Sequence, residues 1–108
     1  MYVWYSMYNQ IATAMVFEWD ERKNRANRAK HGVSFEAATL VFDDPHAVGV
    51  PEHSEEREER WKTLGIAAGV VPLLVVHTHR EEGGEEFIRI ISARKATPWE
   101  RKIYEEGL

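Results

Sequence analysis

Histidines and arginines lie close together in the second half of the chain, in segments that have the pattern of neighbouring strands. His77 and His79 are two residues apart, so they share one face of a strand that Arg80 ends. Arg60 lies on the preceding strand, and Arg89 lies on the strand that follows. Neighbouring strands are about 5 Å apart, so we predict that Arg60, His77 and Arg89 converge at one site.

These residue types suit the cleavage of RNA by its own 2′-hydroxyl. That reaction needs a base, an acid, and cations that stabilise the charge developing on the phosphorus oxygens. An unperturbed histidine has a pKa of about 6.5, and an arginine matches two phosphate oxygens at once. We therefore predict that His77 transfers protons and that Arg60 and Arg89 hold the scissile phosphate. No metal ion or other cofactor is expected, since the nucleophile belongs to the substrate.

Five further cations are predicted to hold the phosphates that flank the cleavage point. They lie on the first helix or near strand ends, and they are Lys23, Lys30, Arg80, Arg94 and Lys95. The segment from residue 20 to residue 31 contains five cations and two carboxylates (+5 − 2 = +3), whereas the whole chain has a net charge of −4. Such a segment is either an ordinary solvated helix or a basic ridge for phosphates or for an acidic partner.

Each of these residues also has a purely structural interpretation. A single histidine on a strand is commonly half-buried and hydrogen-bonded, and an arginine commonly pairs with a carboxylate such as Glu59, Glu85 or Glu86. His77 and His79 have a spacing found in zinc sites, but no third ligand is spaced nearby. The sequence contains no phosphate-loop, nucleophile-elbow or H-E-x-x-H motif.

The apolar pattern predicts an α+β domain with helices mostly on one sheet face. We expect a short N-terminal strand at residues 16–18, two helices, an antiparallel sheet of three to four strands, and a C-terminal helix at residues 97–106. In the first helix, Ala26 and Ala29 are expected to form a thin apolar stripe.

Capping residues predict where these helices begin and end. Asp20 is a good N-cap for the first helix, and Gly32 has the C′ position. Ser34 is expected to start the second helix. Thr97 and Glu100 have the spacing of a capping box for the last helix.

Four blocks of sequence resemble the BrnT family of bacterial toxins. They occur in the family's order, at residues 17–24 (FEWDERKN), 30–35 (KHGVSF), 59–61 (ERW) and 89–97 (RIISARKAT). The resemblance implies a RelE-like ribonuclease toxin that a partner antitoxin neutralises.

The resemblance also implies where the site lies and what it is made of. A RelE-like site is expected on the open sheet face and nearby termini, and it is built mainly of cations. By motif match the resemblance supports Arg60, Arg89 and Arg94, and it supports His77 less firmly. The implied partners are an RNA substrate and a cognate DNA-binding antitoxin, in a homo-oligomer or a toxin–antitoxin hetero-oligomer.

Length and composition are those of one small domain, which we place at residues 15–108. The 108-residue chain has no cysteine, which fits the cytoplasm, and its negative charge argues against coating of nucleic acid through bulk charge. Residues 1–14 are uncharged and rich in aromatics, too short to span a membrane, and lack a signal-peptide pattern. They are either an N-terminal extension or an added strand or oligomer contact.

Two functions from different classes fit this sequence. The first is a metal-independent endoribonuclease toxin of a type II toxin–antitoxin pair. The second is a non-catalytic module whose basic residues bind nucleic acid or an acidic protein within a regulatory complex. Cleavage of RNA in EDTA distinguishes the first, and salt-sensitive binding without cleavage distinguishes the second.

Overall fold

Six strands and three α-helices follow one another along the part of the chain that the structure describes. The computed structural model describes residues 2–6, 13–52, 60–69 and 71–107, with side chains from residue 15 onward. The first half contains β1 (Tyr2–Ser6), β2 (Thr13–Glu18), α1 (Glu21–His31) and α2 (Phe35–Thr39), which a 3₁₀ turn extends over Leu40–Asp43. The second half contains β3 (Val48–Glu52), β4 (Arg60–Ala67), β5 (Val71–Glu82), β6 (Glu85–Lys95) and α3 (Pro98–Glu106).

The strands form one mixed sheet in the order β1-β2-β6-β5-β4-β3. The α+β class is confirmed, but the predicted antiparallel sheet of three to four strands is wrong. β2 runs parallel to β6, with Phe17 opposite Ile88, whereas the other neighbouring strands are antiparallel. Two helices and three strands separate β2 from β6 in the sequence, so no local turn signal indicates that pairing.

β1 pairs with β2 and forms one edge of the sheet. Residues 1 and 7–12 lie outside the described residues. The assignment of residues 1–14 as an extension of the family's domain stays a prediction.

The predicted helix caps are present. The Asp20 carboxylate accepts the backbone N–H of Arg22 at 2.8 Å, and Gly32 ends α1 with a φ of 72° that favours glycine. Ser34 caps α2, and Thr97 with Glu100 forms a capping box at the start of α3.

None of the helices in the described ranges is long and apolar enough to cross a membrane.

Buried asparagines, and not alanines, form the inner face of α1. Ala26 and Ala29 are exposed, so the prediction of an apolar stripe there is wrong. Asn27 is 8% exposed and donates from Nδ2 to the carbonyl oxygens of Val33 at 2.9 Å and Ala93 at 2.7 Å. Its Oδ1 accepts the backbone N–H of Ala93 at 3.2 Å, so one side chain ties α1 to β6.

A second asparagine joins the two N-terminal helices. Asn24 is buried, and its Oδ1 accepts the backbone N–H of Phe35 at 2.8 Å, at the start of α2. Buried amides of this kind need every hydrogen bond satisfied, so they fix one arrangement of α1, α2 and β6.

The main core lies between these helices and one face of the sheet. Phe17, Phe35, Val41, Val75 and Ile90 are its largest fully buried side chains. On the opposite face, a smaller cluster of Leu64, Leu74 and Ala96 packs against Ile103 and Tyr104 of α3. The sheet therefore has one face covered by α1 and α2, and a second face covered by α3 over only part of its length.

Candidate functional site

A row of polar residues crosses the face of the sheet that lies away from α1 and α2. Arg89 of β6 is directly opposite Glu18 of β2 on one side and Thr78 of β5 on the other. Thr78 is in turn opposite Arg60 of β4, and Arg60 is opposite Glu52 of β3. Residues that are directly opposite in a sheet point to the same face, so Arg60 and Arg89 flank Thr78, about 10 Å apart.

Strand alternation identifies which face this row occupies. Ile88 and Ile90, on either side of Arg89, both belong to the core beneath α1 and α2. Successive side chains of a strand point to opposite faces, so Arg89 points away from those helices. The pairing of the strands therefore places Arg60 and Arg89 on one face, on either side of Thr78.

The C-terminal helix covers one end of this face, away from the row. The side chain of Arg94 binds Glu100 of α3 through two contacts of 2.7 and 2.9 Å. The Tyr104 hydroxyl donates to Asp44 Oδ2 at 2.6 Å, and the same oxygen accepts the N–H of Ile66. These contacts hold α3 over Leu64 and Leu74, several residues along the strands from Arg60 and Arg89.

We call the part of this surface that α3 does not cover the open face. By strand register it contains Glu18, Glu52, Arg60, Lys62, Thr78, Arg80, Arg89 and Ser92.

Two of the cations predicted near the site, Arg80 and Arg94, already have carboxylate partners. Arg80 binds both oxygens of Glu18 at 3.3 Å and lies 4.5 Å above the ring of Phe87, and the hydrogen bond to Glu18 raises the pKa of Arg80. The Arg94 guanidinium lowers the pKa of Glu100 to about 2. These arginines hold structural elements together before any ligand arrives.

Arg89 differs from those arginines. It is exposed, and no hydrogen bond or ion pair joins its side chain to another residue within the described ranges. Arg60, two strands away, is half-buried. Two guanidinium groups on the same face of a sheet can bind a phosphate, since each one presents a fork of paired N–H donors.

His77 does not join these residues. It is 5% exposed and lies on the opposite face, where its ring packs edge-on against Phe42 with 4.7 Å between centroids. The hydrogen bonds assign the proton to Nδ1, which donates to the Thr78 carbonyl at 3.1 Å, while Nε2 accepts from the Thr63 hydroxyl at 2.7 Å. The predicted convergence is therefore wrong for His77. Its role in proton transfer stays a prediction, and it would require the ring to leave this position.

Burial of the His77 ring makes the stability of the protein depend on pH. Desolvation lowers the pKa of His77 from 6.5 to about 4. Between these values the unfolded chain binds a proton that the folded chain does not. The stability contributed by the neutral ring is therefore fully present above pH 6.5 and is lost as the pH falls to 4.

We expect the free energy of unfolding to fall by about 3 kcal/mol over this range because of His77. Urea unfolding of the wild type and of His77→Gln at pH 7 and pH 4 measures the effect. The variant should lose less stability on acidification than the wild type. Equal losses would show that His77 is not the group that titrates.

The three remaining cations lie on the other layer of the molecule. Lys23 and Lys30 are exposed on α1. Lys95 is opposite Leu73, whose side chain belongs to the core beneath α1 and α2, so Lys95 also points to the helix side. The structure therefore does not bring these three lysines together with Arg60 and Arg89.

Sequence reasoning missed Thr78 and Glu18 as members of the row. Thr78 lies between the two arginines, and Glu18 is next to Arg89 and pairs with Arg80. Thr78 is uncharged, so its residue type alone does not indicate phosphate binding. Glu18 lies on β2, whose neighbour β6 is far away in the sequence.

Comparisons with known proteins gave a family match and a structural match. A family model described as the ribonuclease toxin BrnT of type II toxin–antitoxin systems matches residues 19–100. The 1.1 Å crystal structure of the Brucella abortus ribonuclease toxin BrnT is similar, with a TM-score of 0.57 and 26% sequence identity. That match covers 77% of this chain and 96% of the Brucella chain. A search of curated proteins found no match.

Proposed function

Because this chain belongs to the BrnT family of ribonuclease toxins of type II toxin–antitoxin systems, we propose that it is an endoribonuclease that cleaves RNA on its open face without a metal ion. The observation that carries the proposal is the row in which Arg89, exposed and with no ion pair in the described part of the chain, shares a face with Thr78 and Arg60.

The proposed reaction is attack of an RNA 2′-hydroxyl on the adjacent phosphorus. The 2′-oxygen loses its proton to solvent water as it forms a bond to phosphorus. The bond to the 5′-oxygen breaks, that oxygen takes a proton from water to become a hydroxyl, and a 2′,3′-cyclic phosphate remains. Arg89 and Arg60 bind the non-bridging oxygens, where negative charge grows in the transition state. Fixed cations at such a position commonly supply the largest share of rate acceleration, and here they also orient the phosphate for in-line attack.

The neighbouring polar residues have supporting roles in this proposal. Glu18 holds the Arg80 guanidinium over Phe87, so these two charges balance each other beside Arg89. Lys62, whose ammonium is 3.6 Å from Glu52, lies on the same face and is available to a flanking phosphate through its exposed end. Arg94 lies under α3 and contributes through the position of that helix.

A type II system implies an antitoxin as the partner of this chain. We further propose that the antitoxin binds DNA, that the pair acts in the cytoplasm, and that the domain shares a RelE-like ancestry.

RNA incubated with the purified chain in EDTA tests the activity. We expect cleavage at an undiminished rate, with products that end in a 2′,3′-cyclic phosphate detectable by mass spectrometry. Loss of cleavage in EDTA and its return with Mg²⁺ would contradict metal independence. Salt-sensitive RNA binding without any cleavage at enzyme excess would favour a non-catalytic binding module.

A further inference from the structure

A groove lies beside α2 on the helix layer, on the opposite side of the sheet from the open face. Its volume is about 500 Å³. The lining is mostly apolar, and the apolar part comes from Val33, Ala37, Leu40, Val71 and Leu73. We call it the α2 groove. This volume is within the range of about 300 to 1,000 Å³ that is usual for pockets that bind ligands.

Two cations stand at the rim of the α2 groove. Arg28 comes from the last turn of α1, and Lys95 comes from the end of β6. Both are exposed, and neither forms an ion pair with another described residue. Glu36 also lines the groove, but its carboxylate accepts a 2.7 Å hydrogen bond from Asn24 Nδ2, which directs it toward α1.

Lys95 reaches this rim because β6 sends adjacent cations to opposite faces. Arg94 is opposite Leu74 and binds Glu100 under α3. Lys95 is opposite Leu73, on the side of α1 and α2. The two cations were predicted to act together on RNA, yet the sheet separates them, so Lys95 is left without a role on the open face.

The basic rim continues along α1. Arg25 is one helical turn before Arg28, so the two side chains share one face of the helix. Arg25 is also exposed. An elongated ligand that enters the α2 groove would therefore pass a line of positive charge.

We propose that the α2 groove is a docking site for a segment of the antitoxin that carries both apolar side chains and carboxylates. The apolar side chains fill the recess, and the carboxylates pair with Arg28 and Lys95 at its rim. The chemistry favours protein over RNA, because an RNA backbone would satisfy the rim and leave the apolar lining in water. This inference rests on the proposed function as an antitoxin-regulated toxin.

Docking here anchors the antitoxin on the layer opposite Arg60 and Arg89. The groove then contributes affinity, whereas blocking of the open face requires a different part of the antitoxin. Contacts in the groove and inhibition of cleavage are therefore separable by mutation.

Two variants test the docking site, and each has a matched control. Ala37→Glu places a carboxylate in the α2 groove, and Ala26→Glu places one on the exposed surface of α1. Arg28→Glu with Lys95→Glu reverses the rim, and Arg101→Glu with Lys102→Glu makes the same charge change on α3. Each chain is titrated calorimetrically with the purified cognate antitoxin. Circular dichroism melting checks that each variant folds.

We expect Ala37→Glu and the rim reversal each to raise the dissociation constant about tenfold or more, and both controls to stay within about threefold of wild type. Equal binding by all variants would overturn the inference, as would equal losses in test and control variants. A rim reversal that weakens RNA binding and leaves antitoxin binding intact would overturn it in favour of a nucleic-acid surface.

Cleavage and binding are measured separately, so the two proposals fail in different ways. A wild-type chain that cleaves RNA, with groove variants that bind the antitoxin normally, would remove only the docking site. A wild-type chain that neither cleaves RNA nor binds the antitoxin would remove the toxin assignment and the docking site together.

Discussion

Arg89→Ala should lower the rate of RNA cleavage about a hundredfold or more. The substitution removes an exposed guanidinium from the row of Arg60 and Thr78, where charge would develop on the phosphorus oxygens. Loss of one well-placed donor to such an oxygen costs about 3 kcal/mol of transition-state stabilisation. Single-turnover cleavage of RNA, with enzyme in excess over substrate, measures the chemical step directly.

Two further variants distinguish an effect on the cleavage step from an effect on the general electrostatic attraction between protein and RNA. Arg25→Ala removes an exposed arginine from α1 on the other layer, and it should cleave at close to the wild-type rate. Arg89→Lys keeps the charge without the planar fork, so we expect it to recover only part of the activity. If Arg25→Ala and Arg89→Ala lose activity equally, the effect comes from net charge and the row is not the site.

Asn27→Ala should lower the free energy of unfolding by about 4 kcal/mol. Asn27 makes three hydrogen bonds, two of them with the backbone of Ala93, which is 0% exposed. Alanine makes none, so the partner groups stay buried without these partners. Urea unfolding at pH 7 measures the change, and a melting temperature lower by roughly 15 °C or more is expected.

The matched control for this variant lies two residues away on the same helix. Arg25→Ala removes an exposed side chain, so it should change stability by less than about 0.5 kcal/mol. If Asn27→Ala is as stable as Arg25→Ala, the asparagine does not fix α1 on β6.

Local signals predicted the helices well. Asp20, Ser34 and Thr97 cap helices through hydrogen bonds that join residues two or three positions apart, and such contacts are visible in any stretch of sequence. The inner face of α1 was not predictable in the same way. Asn27 is buried because Ala93, far away in the sequence, supplies its partners, whereas the apolar Ala26 stays outside.

The sequence predicts part of the site, because the turn between β5 and β6 sets the register of those two strands. A two-residue turn at Gly83 and Gly84, with φ of 58° and 81°, places Glu82 opposite Glu85. Counting back from that pair puts Thr78 opposite Arg89 and His77 opposite Ile90. Two adjacent glycines between two strand patterns indicate a hairpin turn, so this count is available from the sequence, and it places His77 beside an apolar residue.

Burial of both faces of β5 concealed the position of His77. Leu73, Leu74 and Val75 are all buried, because α3 covers one face and α1 and α2 cover the other. A continuous apolar run of this kind does not indicate which face is which. The register shift between Val76 and His77 also interrupts the pairing with β6 next to the histidine.

An NMR titration with RNA tests the central claim most directly. The ligand is an oligonucleotide with 2′-O-methyl groups throughout, so the internal nucleophile is blocked and the complex persists. We expect the signals of Arg60, Thr78 and Arg89 to shift, including the Nε–H signals of both arginines, while the signals of α1 and the α2 groove stay in place. Shifts confined to α1 and the α2 groove, with the open face unchanged, would contradict the account.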